Sequence, residues 1–178
     1  MKKIFYSLSF LVLVILVLSL AAKANFYPVI RLDGEFVGAG DYYERMNGLK
    51  RYAQMTAEPF DEKTIGRGII LSLITDELVK KESENRKISA DEAHKLVEEV
   101  LDSGFENLEK ASAELYGWDI EEFKKLVLLP QARQDLLAEA LQKEGIDFNK
   151  WLSEELARSE IKIYFLPYRW QDGQLVEK

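Results

Sequence analysis

Along most of this chain apolar residues recur every three or four positions, and short runs of Asp, Gly, Ser, Asn and Pro separate the periodic stretches, which predicts consecutive amphipathic helices. The exceptions lie near the two ends. Val29, Ile30 and Leu32 followed by Asp33-Gly34 predict a short strand and tight turn, with Glu35 to Val37 as a brief return. Gly38-Ala39-Gly40 then opens a helix for which Asp41 is the candidate cap, Tyr42, Met46, Leu49 and Ala53 the buried stripe, and Pro59 the closing signal. Asp61 is placed to cap a longer helix reaching about Ser83, with Ile65, Ile69, Leu73, Ile74 and Leu78 facing inward. Gly66 and Gly68 cost that helix roughly 1 kcal/mol each relative to Ala, so a close packing partner is expected there.

The stretch from Leu78 to Val100 is a joint: one helix breaks near Asn85 and another restarts at Ser89, where Glu92 three residues later completes a capping-box pattern. Ala93, Leu96, Val97, Val100 and Leu101 form the stripe of this third helix, which Gly104 ends. Phe105, Leu108, Leu115 and Tyr116 outline a shorter helix stopped by Gly117. Asp119 with Glu122 starts the next, whose apolar face is Phe123, Leu126 and Val127; Pro130 is accommodated as a kink, and Leu136, Leu137, Ala140 and Leu141 continue to a stop at Gly145. Asp147 caps a last helix carrying Trp151, Leu152 and Leu156. The period then shifts to two: Ile161, Ile163 and Phe165 alternate with Lys162, Tyr164 and Leu166, and Gln171-Asp172-Gly173-Gln174 reads as a turn. Because a lone strand leaves backbone groups unpaired, the Val29 to Leu32 strand is expected to pair with the Ile161 to Leu166 strand. The fold class is therefore mainly α, about six helices with a small antiparallel β pairing of N- and C-terminal strands.

Residues 1–24 differ in kind. Lys2-Lys3 precede about 19 residues without charge, close to the roughly 20 that cross a hydrocarbon core as a helix, which favours a membrane anchor. Ala22-Lys23-Ala24 also fits a signal-peptidase site, which favours cleavage after Ala24 and release. Under either reading residues 25–178 form one helical domain on the extracytoplasmic side.

Charge and composition narrow the partners. The hydrophobic share is 47% and the charged share 31%, values of a folded domain. Removing the three lysines of residues 1–24 from 24 basic residues leaves 21 against 31 acidic ones, a formal charge of −10, so nucleic acid is not an expected partner. There is no cysteine, hence no disulfide, no thiol chemistry and no lipid-modified cysteine.

Candidates for chemistry are few. His94 is the single histidine and falls among charges on the third helix, where an exposed helical residue is the simpler reading. The acid pairs Glu98-Glu99, Glu121-Glu122 and Glu154-Glu155 read as solvated helix faces. No zinc-ligand spacing, calcium loop or phosphate loop occurs, so no metal or cofactor is expected. Tyr42, Tyr43, Met46, Tyr52, Met55 and Phe60 concentrate aromatic and thioether side chains in the first helix and the loop after it. They read either as core or as a pliable surface for varied partners.

The runs Lys87-Ile88-Ser89-Ala90-Asp91-Glu92 and Trp118-Asp119-Ile120-Glu121-Glu122-Phe123, with Val29 to Met46 upstream, resemble the N-terminal chaperone domain of the SurA-like family, which includes membrane-anchored PpiD and PrsA relatives. The likeness covers Val29 to Leu166, although Asp33 stands where that family commonly has Asn. It implies an extracytoplasmic holdase that binds unfolded exported polypeptides without catalysis, with Tyr42, Met46, Tyr52, Met55 and Phe60 as candidate client contacts. The family's parvulin isomerase domain, with its active-site histidines, has no counterpart here, so isomerase activity is not implied. The alternative reading is an adaptor module that recruits a single partner protein.

Overall fold

A computed structural model describes residues 27–102 and 107–178. Residues 1–24, Gly104 and Phe105, on which the leader and one predicted helix junction fall, lie outside the described residues.

Strand β1 (Pro28–Leu32) turns at Asp33-Gly34, both at positive φ, into β2 (Glu35–Gly38). Helices α1 (Ala39–Thr56) and α2 (Glu62–Asn85) follow, then α3 (Ala90–Asp102) and α4 (Leu108–Leu115). Helix α5 runs without a break through Ile120–Phe123, a π-helical stretch Lys124–Leu128 and Leu129–Lys143. After α6 (Phe148–Arg158) come β3 (Ile161–Ile163) and a hairpin of β4 (Tyr168–Gln171) and β5 (Gln174–Glu177). The protein is thus mainly helical, with six helices among the described residues.

β1 is the centre of a three-stranded antiparallel sheet ordered β2-β1-β3, with Ile30 opposite Ile163 and Leu32 opposite Ile161. The expected pairing of the terminal strands is therefore present. One expectation about the C-terminal segment needs correction. β3 stops at Ile163, because Phe165 adopts φ +56° and breaks the alternation, leaving its ring 75% exposed while Leu166 is buried. The expected turn at Asp172-Gly173 is present, and it joins two strands, β4 and β5, that pair with each other as a hairpin.

Three aspartates cap helices as their positions suggested: Asp61 accepts from Lys63 N, Asp147 from Lys150 N, and Asp119 forms a reciprocal capping box with Glu122. Asp41 does not cap. The N-cap of α1 is Gly38, three residues earlier, and Asp41 instead pairs with Lys125 at 2.7 Å. At the joint after α2, Ser89 Oγ accepts from Asp91 N, while Glu92 N bonds the Ser89 carbonyl, so the cap forms one residue short of the box geometry. Lys87 takes positive φ there, and Arg86 bonds both Glu82 (2.7 Å) and Glu144 (2.5 Å), tying the end of α2 to the end of α5.

The main core gathers Val29, Ile30 and Leu32 of β1, the Ile69-Ile70, Leu73-Ile74 and Leu78-Val79 pairs of α2, Leu137 and Leu141 of α5, Trp151, and Tyr168 and Leu175 of the hairpin. A much smaller core joins Ala93 and Val97 of α3 to Ala132. Three predicted burial assignments change. Val100 and Val127 are 41% and 38% exposed, and Glu155 is buried on α6 with Arg158 Nε donating to it at 2.8 Å. For Val127 the cause is the π-helical step, which adds a residue to one turn and rotates every later side chain out of the 3.6-residue phase.

Candidate functional site

The π-helical step also shapes a cleft. Pro130 lacks an amide and its ring would press on the carbonyl four residues back; here Leu129 N reaches five residues back to the Lys124 carbonyl, widening the turn just before the proline. The widened side of α5 forms one wall of an open cleft of about 470 Å³ between α1, α2 and α5. Its floor is apolar, from Leu49, Ile69 and Leu126. One wall is aromatic: Tyr116, Trp118 and Phe123.

The aromatic wall is fixed from several sides. Trp118 stacks on Tyr116 (centroids 4.9 Å, 11° between planes), which stacks in turn on Tyr52 (5.3 Å, 11°). The Trp118 indole N–H donates to the Glu44 carbonyl at 3.3 Å, and Ser112 Oγ donates to the Trp118 carbonyl at 3.0 Å. α1 admits the indole only because residue 48 is glycine: a Cβ at Gly48 would sit 2.1 Å from Trp118 Cζ2. Burial holds the Tyr116 hydroxyl proton more tightly than in water, with Tyr52 and Glu58 adding to the effect.

The cleft also has polar lining. Arg45 of α1 donates to Ser72 Oγ (2.7 Å) and to Asp76 Oδ2 (2.6 Å), both on α2, and its Nε is buried without a partner. Burial pushes the Asp76 carboxyl above its ordinary range against the opposing pull of Arg45. Gln131 and Gln134 place amide groups along the α5 rim. Gly68 lies on the cleft surface, and a Cβ there would enter open space, with nothing within 4 Å.

Of the residues singled out from sequence, the structure does not build one surface. Tyr42 and Met46 are core residues at 5% and 7% exposure, packed over Gly66, whose absent Cβ would lie 2.8 Å from the Tyr42 hydroxyl. That hydroxyl has its pKa pushed up to about 12 by burial, with Tyr168 and Tyr43 contributing. Phe60 is half-buried against the same core, and Met55 is 60% exposed at the end of α1. Tyr52 alone touches the cleft's walls, stacked on Tyr116 without itself lining the cleft. The expectation of close packing holds at Gly66 and fails at Gly68, where the missing side chain leaves space. Sequence reading missed Arg45, Ser72, Asp76 and Trp118; the second glycine and Pro130 were the only local signals of a cleft.

A second groove of about 430 Å³ runs between α3 and α5, lined by Leu96, Val97, Val100 and Leu128 with Glu99 and Asp135 on its rims. Gln131 borders both grooves. Among the described residues no group of His, Asp and Glu is spaced to hold a metal ion, His94 is exposed, and no helix is long and apolar enough to cross a membrane.

Fold and cleft together define a mainly helical protein with two open interhelical grooves, one of them lined by an aromatic stack and a half-buried ion pair. No family model, curated protein or solved structure matches the chain.

Proposed function

We propose that the protein is a membrane-anchored, extracytoplasmic holdase of the SurA-like kind, which lodges short extended segments of unfolded exported polypeptides in the α1–α2–α5 cleft and performs no catalysis. The observation that carries this reading is an open cleft lined by both stacked aromatic rings and hydrogen-bonding side chains on a braced framework. Side chains of a client would stack on Tyr116, Trp118 and Phe123. The peptide backbone would meet the amides of Gln131 and Gln134 and the ion pair of Arg45 and Asp76. The cleft is open to solvent, as weak and reversible capture of many sequences requires. Tyr52 supports the wall, Met55 extends the exposed apolar surface, and Tyr42, Met46 and Phe60 hold α1 against the core. The apolar run of residues 4–22 anchors the domain to the membrane across which it is delivered.

Gly68 provides the test. Replacing it by Leu projects a side chain into the cleft from a position where a Cβ meets no atom within 4 Å, and removes a helix-interior glycine worth roughly 1 kcal/mol. The expected result is loss of aggregation suppression toward several unrelated unfolded proteins with no fall in Tm. Undiminished suppression by Gly68→Leu would refute the cleft as the client site. Saturable capture of one partner, with no protection of unrelated clients, would favour the adaptor.

A further inference from the structure

Phe165 and Phe36 are the exposed phenylalanines among the described residues, at 75% and 63%, and both belong to the three-stranded sheet or its immediate continuation. Phe165 is held outward by φ +56°, a conformation that bulky side chains rarely adopt. Its ring meets Tyr27 edge-on at 5.4 Å and lies 6.4 Å from the Tyr164 ring. Tyr27 is fixed to the body, since its carbonyl accepts from Ala39 N at 2.8 Å and its hydroxyl donates to Tyr43 at 3.3 Å. On the outer face of the sheet Arg31 stands over Phe36, 5.8 Å from the ring centre.

The position of this cluster along the chain says what covers it. The uncharged run ends at Ala22, and five peptide steps to Tyr27 reach at most about 18 Å when fully extended. If residues 4–22 are held in a membrane, a body tethered so briefly to them has Tyr27 and its neighbours within reach of the bilayer surface. Amphipathic aromatic side chains favour that boundary, where the ring leaves water and the hydroxyl keeps it.

We propose that the Tyr27–Tyr164–Phe165 end of the sheet docks at the lipid–water interface of the membrane holding residues 4–22, so that the helical body keeps one orientation instead of swinging on its tether. This rests on the anchored reading of the leader and is independent of what the cleft binds.

The chain contains no cysteine, so a single Cys at Phe165 or at Met55 carries one nitroxide label on the full chain. Met55 is 60% exposed and sixteen residues along α1 from Ala39, about 24 Å at the helical rise. In vesicles of phosphatidylethanolamine and phosphatidylglycerol, the Phe165 label should show a severalfold higher ratio of collision with dissolved oxygen to collision with an aqueous nickel chelate than the Met55 label. Should Phe165→Cys disturb the fold, Tyr164→Cys gives the same reading. Equal ratios at the two positions, with the chain retained in the vesicles, would overturn the docking alone. Recovery of the full chain in the soluble fraction would overturn both the docking and the anchor, and leave holding activity in solution as a separate result.

Discussion

The two grooves that flank α5 are similar in volume and share Gln131, yet they differ in what stands behind them. Behind the α1–α2–α5 cleft lies the main core, with Ile70, Ile74, Leu137 and Leu141 fully buried, and its walls are fixed by stacked rings and a two-bond arginine clamp. The α3–α5 groove is backed by a smaller core in which only Ala93, Val97 and Ala132 are buried, with half-buried leucines around them, and its lining includes the carboxylates of Glu99 and Asp135. Interhelical hollows alone do not make a site. The difference lies in positioned chemistry, which needs a rigid support so that its geometry is set before a partner arrives.

This contrast can be broken at its strongest point by Leu137→Ala. Leu137 is fully buried in the main core, so the truncation should cost about 3 kcal/mol in chemical denaturation and loosen both grooves together. A loss below about 1 kcal/mol would mean that α5 is not held through this core. Gly48→Ala should come next. The added methyl must displace the Trp118 indole, and the overpacking cost of about 2 kcal/mol exceeds the propensity gained by losing a helical glycine. Tryptophan fluorescence should shift to the red as the stack opens, and holding should fall with it.

A smaller effect concerns pH. The Asp76 carboxyl binds its proton more tightly in the folded protein than in the unfolded chain, because burial outweighs Arg45. Its contribution to stability is therefore present below the unfolded value, near 3.8, and declines as pH rises from there through the raised folded value. Asp76→Asn should flatten that part of the stability profile, as measured by denaturant midpoints across the acidic range. The smallest effect belongs to the second groove. Val100→Ser, at a position 41% exposed, should change stability by no more than about 0.5 kcal/mol and leave aggregation suppression intact.

What could be read from the residues follows the range of the interactions that fix them. Asp61, Asp119 and Asp147 cap the amides two or three residues onward, and Asp33-Gly34 and Asp172-Gly173 meet the positive-φ demands of their own turns, so these boundaries were visible locally. The pairing of β1 with β3 was inferable from the need of a lone strand for a partner. The cleft was not visible, because it depends on contacts distant in sequence: Gly48 with Trp118, Arg45 with Ser72 and Asp76. A π-helical step defeats a 3.6-residue periodicity from inside, which is why Val127 was assigned to the buried face. Glu155, one member of an acid pair that read as solvated, is buried because Arg158 one turn later provides its partner. The aromatic and methionine residues of α1 were correctly seen as unusual, but their sequence does not distinguish Tyr42, which faces the core, from Tyr52, which faces the stack.

Val127 and Val100 form a matched pair, nearly equal in exposure and each lining one groove. A photo-crosslinking residue introduced at each position in turn, in the presence of a chemically unfolded polypeptide, measures directly where that polypeptide lodges. Adducts should form from position 127 and be lost when Gly68→Leu is added, with little product from position 100. Equal yields from both positions, or product from position 100 alone, would contradict the assignment of the client to the α1–α2–α5 cleft.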